Sequence, residues 1–143
     1  MDTRIEKRVG IQASAERLWD ILSDFPGWSR WNPYETDLEG QLAFGAPLRL
    51  TETWPDMAPR QVEGRINEWQ PLAQLIWVEK RGWLFATVRY FEIEELEPES
   101  CILATGMLFH GLRAELFMDK HRRVIRHAFE DVCDRLKVVA EQG

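Results

Sequence analysis

The chain is poor in the features that most quickly assign a protein to a class. Its 143 residues include only two cysteines, Cys101 and Cys133, too few for a disulfide framework or a four-thiolate zinc site. The three histidines, His110, His121 and His127, do not fall at an HExxH-like spacing, and the nine glycines lie at separated turns rather than in a phosphate-cradling loop. No metal and no cofactor are therefore expected. Positive charge is in deficit: 18 Lys and Arg stand against 24 Asp and Glu, a net charge of −6. That balance argues against a nucleic-acid partner, which needs a basic face to neutralise phosphates. No apolar run approaches the ~18 residues of a membrane span; the longest is a short stretch around Trp83 to Val88. The opening MDTRIEKRVG alternates charged and apolar residues and lacks the apolar core of an export signal. The expectation is a cytoplasmic protein with both thiols reduced.

What the chain does have is the composition of a globular domain, 45% hydrophobic and 29% charged, read as one domain over residues 1–143. Seven tryptophans are many for this length. Residues 3–11 alternate, with Ile5, Lys7, Val9 and Ile11 on one side, and predict a half-buried strand. Ser14 precedes a short amphipathic helix over 15–24, stopped by Pro26-Gly27. A single helical turn is expected in Trp28 to Asn32, before Pro33.

From 34 to 110 short alternating segments are separated by turn residues. Gly40 and Gly45-Ala46-Pro47 bracket two strands that end near Trp54. Further strands carry Val62, Gly64, Ile66 and Glu68, then Leu75, Trp77 and Glu79, then 83–96 and 101–109. Tight connections between sequential strands imply an antiparallel meander. The period then becomes helical. Leu116, Phe117, His121, Val124, Ile125, Ala128, Phe129, Val132, Leu136 and Val139 form one stripe, predicting a helix of about 25 residues, or ~38 Å. A twisted antiparallel sheet can wrap such a helix, which places the fold in the α+β class.

On these elements the chain resembles a known superfamily. SAERLWDILSDFPGWSRWNP at 14–33, then Leu75-Ile76-Trp77, Arg89-Tyr90-Phe91, Phe109-His110-Gly111-Leu112, Leu136-Lys137 and Ala140-Glu141 follow the order seen in helix-grip proteins. These comprise START domains, the birch-pollen-allergen fold and the bacterial polyketide cyclase/dehydrase-like branch. The resemblance spans the whole chain. It implies an antiparallel sheet of six or seven strands curved around the C-terminal helix, with two short helices after the first strand. It also implies a cavity between sheet and helix that suits lipids, polyketides or aromatic compounds. Bacterial members often carry His where Arg89 stands and Glu where Met107 stands, so an activity resting on that pair is not expected here.

Within such a fold the pleat nominates the inward side chains. They are Trp83, Phe85, Thr87, Arg89, Phe91 and Ile93 on the long strand; Leu103, Thr105, Met107 and Phe109 on the last; Leu75, Trp77 and Glu79 on the strand before; and Leu48, Leu50 and Glu52 early on. All of these except Trp83, Thr87, Ile93 and Leu48, together with Trp31, Trp54, Ile66, His121 and Ile125, are the candidates for ligand contact. Arg89 admits three readings: an anchor for a ligand carboxylate, phenolate or phosphate, an ion pair with Glu79 or Glu52, or an outward side chain if a bulge flips the phase. His121 reads as a cavity acid/base or as a histidine satisfied at the helix end. Trp28, Trp31 and Trp54 read as rim or core. Three functions follow: a carrier or sensor for a hydrophobic small molecule, a cyclase or dehydratase using a cavity acid/base, or a protein-interaction domain. The third would require an exposed apolar patch, and every apolar residue is already assigned to sheet face or helix stripe. A homo-oligomer stays open.

Overall fold

The computed structural model describes residues 3–142. Seven strands form one antiparallel sheet: β1 (Arg4–Ile11), β2 (Glu35–Gly40), β3 (Pro47–Glu52), β4 (Arg60–Gln70), β5 (Gln74–Gly82), β6 (Phe85–Glu97) and β7 (Ser100–His110). Their spatial order is β1-β7-β6-β5-β4-β3-β2. The last strand returns beside the first, and every other neighbour is a sequential hairpin. Two helical segments follow β1. Helix α1 (Ala15–Ser23) is capped by Ser14, whose Oγ accepts from the Arg17 N–H at 3.1 Å. A 3-10 helix (Phe25–Arg30) carries Pro26 in its first turn, where no N–H is needed. The C-terminal helix α2 (Leu112–Glu141) has 30 residues, about 45 Å at 1.5 Å per residue. It packs across β1, β7 and β6, burying Met118, Ile125, Phe129, Val132 and Leu136. The α+β helix-grip architecture is the one expected.

Several expectations need correction. Trp83 does not face inward: its side chain is 78% exposed. Gly82 (φ +153°) and Leu84 (φ +56°) make a turn with a register shift between Lys80 and Gly82, so β6 starts at Phe85. Inward alternation holds from Phe85 onward. The same shift sets Glu79 opposite Thr87. A bulge between Ile66 and Glu68 turns Glu68 out, while Val62, Gly64 and Ile66 stay buried. On α2, Leu116 is 61% exposed and leaves the stripe; Ala114 and Met118 occupy the buried face there. Leu116 lies one turn after exposed Leu112, so both fall on the outer side.

The turn after β5 is tied to the start of α2. The backbone N–H groups of Arg113 and Ala114 both donate to the Leu84 carbonyl, at 3.1 and 3.3 Å. Gly111 (φ +101°) lies so close to Leu84 that a Cβ there would collide with its backbone. Only glycine meets both demands.

Candidate functional site

The inward face divides into two apolar clusters crossed by a polar belt. The first cluster holds seven of the candidate residues, Trp31, Leu50, Ile66, Leu75, Trp77, Phe91 and Leu103. Trp28 is its centre, with ring centroids 4.9 Å from Trp31, 5.2 Å from Phe91 and 6.1 Å from Trp77. The Trp28 indole N–H donates to the Leu22 carbonyl at 2.9 Å. Trp28 and Trp31 are thus packed into the core, 0% and 3% exposed.

The second cluster lies against the N-terminal half of α2. It buries Trp54, Met107, Phe109, Met118, Ile125 and Phe129, with Met57, Phe85 and Phe117 half-buried around it. Trp54 packs edge-on to Phe129 at 5.5 Å. Its Nε1 is buried and, among the described residues, has no hydrogen-bond partner; the same is true of Trp31 Nε1, Arg17 Nε and Arg81 Nε. His121 is half-buried with its ring 4.6 Å from Phe117. Burial, and then the Lys120 charge, push its imidazolium below its usual pKa.

Arg89 forms the middle of the belt and is 1% exposed. Its partner is neither Glu79 nor Glu52 but Glu35. Nε and Nη2 donate to the two Glu35 carboxylate oxygens at 2.9 and 2.8 Å. Nη1 donates to Thr105 Oγ1 at 2.6 Å and to the carbonyls of Tyr90 and Gly106, each at 3.0 Å. The guanidinium plane sits between the rings of Phe91 and Phe129, 4.4 Å from each centroid. Asn32 Nδ2 donates to Glu35 at 3.1 Å, while Asn32 Oδ1 accepts from the backbone N–H groups of Tyr34 and Glu35. All three Arg89 nitrogens are engaged by protein groups, and the ion pair is made with Glu35 instead of either expected acid.

Glu52 and Glu79, both buried, belong to a second network. Arg60 forks onto Glu79 with two bonds of 2.7 Å and reaches Glu52 at 3.3 Å. Arg81 Nη2 donates to Glu52 at 3.0 Å; its Nε lies 3.2 Å from Glu79 but is misaligned for a hydrogen bond. The Arg81 guanidinium also lies 5.5 and 5.4 Å from the Phe85 and Phe117 ring centroids. Burial pushes the Glu52 carboxyl above its usual pKa against the pull of Arg81 and Arg60. Glu35 and Glu52 are direct cross-strand partners, which joins the two networks into one belt. Arg60, Arg81, Glu35 and Asn32 were not among the candidates. Arg81 shares the alternation of Trp77 and Glu79 and could have been read; Glu35 lies behind an irregular segment that gives no period to follow. Among the described residues no cluster of His, Cys, Asp and Glu could hold a metal ion.

An open sheet gripping a long helix is the START-like, helix-grip fold. The chain belongs to the polyketide cyclase/dehydrase and lipid transport family, whose model matches residues 2–141. Among solved structures it is similar to a START superfamily protein from Mycobacterium smegmatis, with 23% identity, TM-score 0.75 and 97% of each chain covered. It is also similar to the Zhui aromatase/cyclase from Streptomyces sp. R1128, with 14% identity, TM-score 0.76 and coverage of 97% of this chain and 93% of that one. A norcoclaurine synthase mutant from Thalictrum flavum gives 13% identity, TM-score 0.69 and coverage of 97% and 94%. At these identities the likeness is one of fold. No curated protein sequence matches the chain.

Proposed function

We propose that the protein binds a hydrophobic small molecule of the lipid, polyketide or aromatic class between the sheet and α2, as a carrier or sensor. The observation that supports this most directly is the Trp54 indole N–H, buried among apolar side chains without an acceptor among the described residues. An unmet buried donor costs about 1–3 kcal/mol, and a ligand carbonyl or hydroxyl would recover it. The side chains around it suit accommodation. Met57, Met107 and Met118 are unbranched and polarisable, and they repack at low cost. The ligand would therefore take the second cluster, whose methionines can repack, while the first, although Trp31 Nε1 is also without a partner there, stays as an aromatic frame around Trp28. Arg89, already saturated, would act by fixing the floor of that space rather than as the anchor.

Titration of the full chain with a hydrophobic fluorophore, followed by tryptophan quenching, tests this. Saturable binding is expected, and Trp54→Phe should weaken binding of an oxygen-bearing ligand by about tenfold. Absence of saturable binding would overturn the reading. A cyclase-type reading has one observation in its favour, the burial-raised Glu52 carboxyl, which suits a proton donor. Turnover of a polyketide-like substrate, abolished in Glu52→Gln, would favour it.

A further inference from the structure

The antiparallel order puts the β3–β4 loop, the β5–β6 turn and the start of α2 at one end of the molecule. The β2–β3, β4–β5 and β6–β7 turns are at the other. The two ends differ in chemistry. At the first, Trp83 is 78% exposed, Leu112 59% and Leu116 61%, with Leu84 beside them. They form one patch because the turn is bound to the helix: Leu84 O accepts from the N–H groups of Arg113 and Ala114, and Arg113 Nη1 donates to Trp83 O at 3.3 Å. This corrects the expectation that no apolar side chains would be left uncovered outside the core. Exposed Phe44 and Leu72 lie on turns of the far end, Leu96 at the end of β6 and Val138 in the last turns of α2.

Charge separates the ends in the same sense. Around the patch Lys80, Arg113, Lys120, Arg122 and Arg123 outnumber Asp56, Glu115 and Asp119, although the chain carries a net −6. Leu112, Leu116, Lys120 and Arg123 follow at spacings of three and four along α2 and share its outer face. At the far end Glu92, Glu94, Glu95, Glu97 and Glu99 are all exposed. A protein this polarised has a preferred orientation on a negatively charged surface. An exposed tryptophan with leucines and a basic fringe is the chemistry of the lipid interface, where the indole seats at headgroup level and the cations meet anionic headgroups.

We propose that this end docks peripherally on an anionic lipid bilayer, with Trp83, Leu84, Leu112 and Leu116 entering the headgroup region and Arg113, Lys120 and Arg123 pairing with lipid phosphates. Docking does not require that anything bind between sheet and helix. It does bring Phe85, Phe117 and Arg81, which lie behind the patch, next to the bilayer.

The test is cosedimentation of the full chain with vesicles of phosphatidylcholine alone and of phosphatidylcholine mixed with phosphatidylglycerol. Binding is expected to the anionic vesicles only, and high salt should release it. Trp83 is the exposed indole, the other six being buried or half-buried, so binding should blue-shift its emission and Trp83→Ser should remove that shift. Trp83→Ser with Leu112→Ser, and separately Lys120→Glu with Arg123→Glu, should each weaken binding by roughly tenfold or more. All four positions are exposed, and an unchanged thermal melt would verify the fold of each variant. Failure to bind anionic vesicles, equal binding to neutral ones, or unaltered binding by both variants would overturn the proposal. So would a dimer in light scattering that Trp83→Ser dissolves, which would assign the patch to a second copy of the chain.

Discussion

Arg89 and Glu35 are 54 residues apart in sequence yet form a two-bond fork, at 2.9 and 2.8 Å, in the middle of the molecule. Their side chains are 2% and 1% exposed. The pair joins β6, near the centre of the sheet, to β2 at its edge. It does so across the concave face, where no backbone ladder runs. Desolvating two charges costs several kcal/mol each, so the arrangement holds only because Thr105, Asn32 and two carbonyls satisfy what the fork leaves over. The flanking rings of Phe91 and Phe129 exclude water from it.

Breaking one side of this pair should be severe. Arg89→Met leaves Glu35 charged and buried, and is expected to lower stability by about 3–5 kcal/mol. Removing both charges together, as Arg89→Met with Glu35→Leu, should cost much less than the sum of the single changes. Denaturant melts of the three variants check this. A single variant that melts like the parent would contradict the geometry.

The same pair shows where sequence reading stops. Alternation along β6 placed Phe85, Thr87, Arg89, Phe91 and Ile93 on one face, and that phase is correct because a run of apolar residues must bury one side. What alternation cannot supply is the partner. Glu35 sits just after a 3-10 helix and a proline, and beside an irregularity between Thr36 and Glu39 where Asp37 has φ +56°. Neither a period of two nor one of 3.6 runs through such a segment. Trp83 failed for a related reason: a Gly82–Leu84 turn consumed two residues that alternation had counted as strand. The α2 stripe was legible from Phe117 to Val139. Its start was not, since Leu116 has the composition of a core residue and the position of a surface one. Thus the fold followed from pattern, while the belt and the exposed patch depended on turns and distant pairings.

Helix α2 should be indispensable. It buries Met118, Ile125, Phe129, Val132 and Leu136 against the sheet, each worth about 1.5–3 kcal/mol. Their sum rivals the 5–15 kcal/mol net stability typical of a domain. Deleting residues 114–143 is expected to give an insoluble or unfolded chain. A soluble truncation with a cooperative melt would refute the packing.

The charged belt and the charged surface should respond differently to the same chemical change. Glu79→Gln removes a buried charge and replaces one of the two oxygens that accept from Arg60 at 2.7 Å with an NH2 that cannot accept, leaving Glu52 as the one carboxylate that faces Arg60 and Arg81 among the described residues. A loss of about 1–3 kcal/mol is expected. Glu63→Gln cuts the Arg49–Glu63 pair, whose side chains are 64% and 74% exposed, and should change stability by less than about 0.5 kcal/mol. Thermal melts side by side decide; equal effects would mean that Glu79 is as solvated as Glu63.

The two tyrosines give the chain a distinctive alkaline limit. Tyr34 donates to Asp131 on α2 at 2.6 Å, and Tyr90 to Glu6 on β1 at 2.6 Å. Burial, followed by the hydrogen bond to a carboxylate, pushes Tyr34 up from 10.0 to about 12. Burial and Glu6 raise Tyr90 in the same direction. The sign for stability follows from proton counting. Between about pH 10 and 12 the folded protein keeps the Tyr34 proton while the unfolded chain has lost it, so the native state binds more protons and raising the pH favours unfolding. This contribution is fully present below pH 10 and is lost as pH rises through about 12. The chain has only these two tyrosines, so its tyrosinate absorbance reports them alone. In a pH titration the folded protein should show little tyrosinate at pH 10, and its appearance should coincide with unfolding. Tyr34→Phe should reduce the loss of melting temperature across that window. Half-ionisation of tyrosine near pH 10 in protein that is still folded would show that neither phenol is held by its carboxylate.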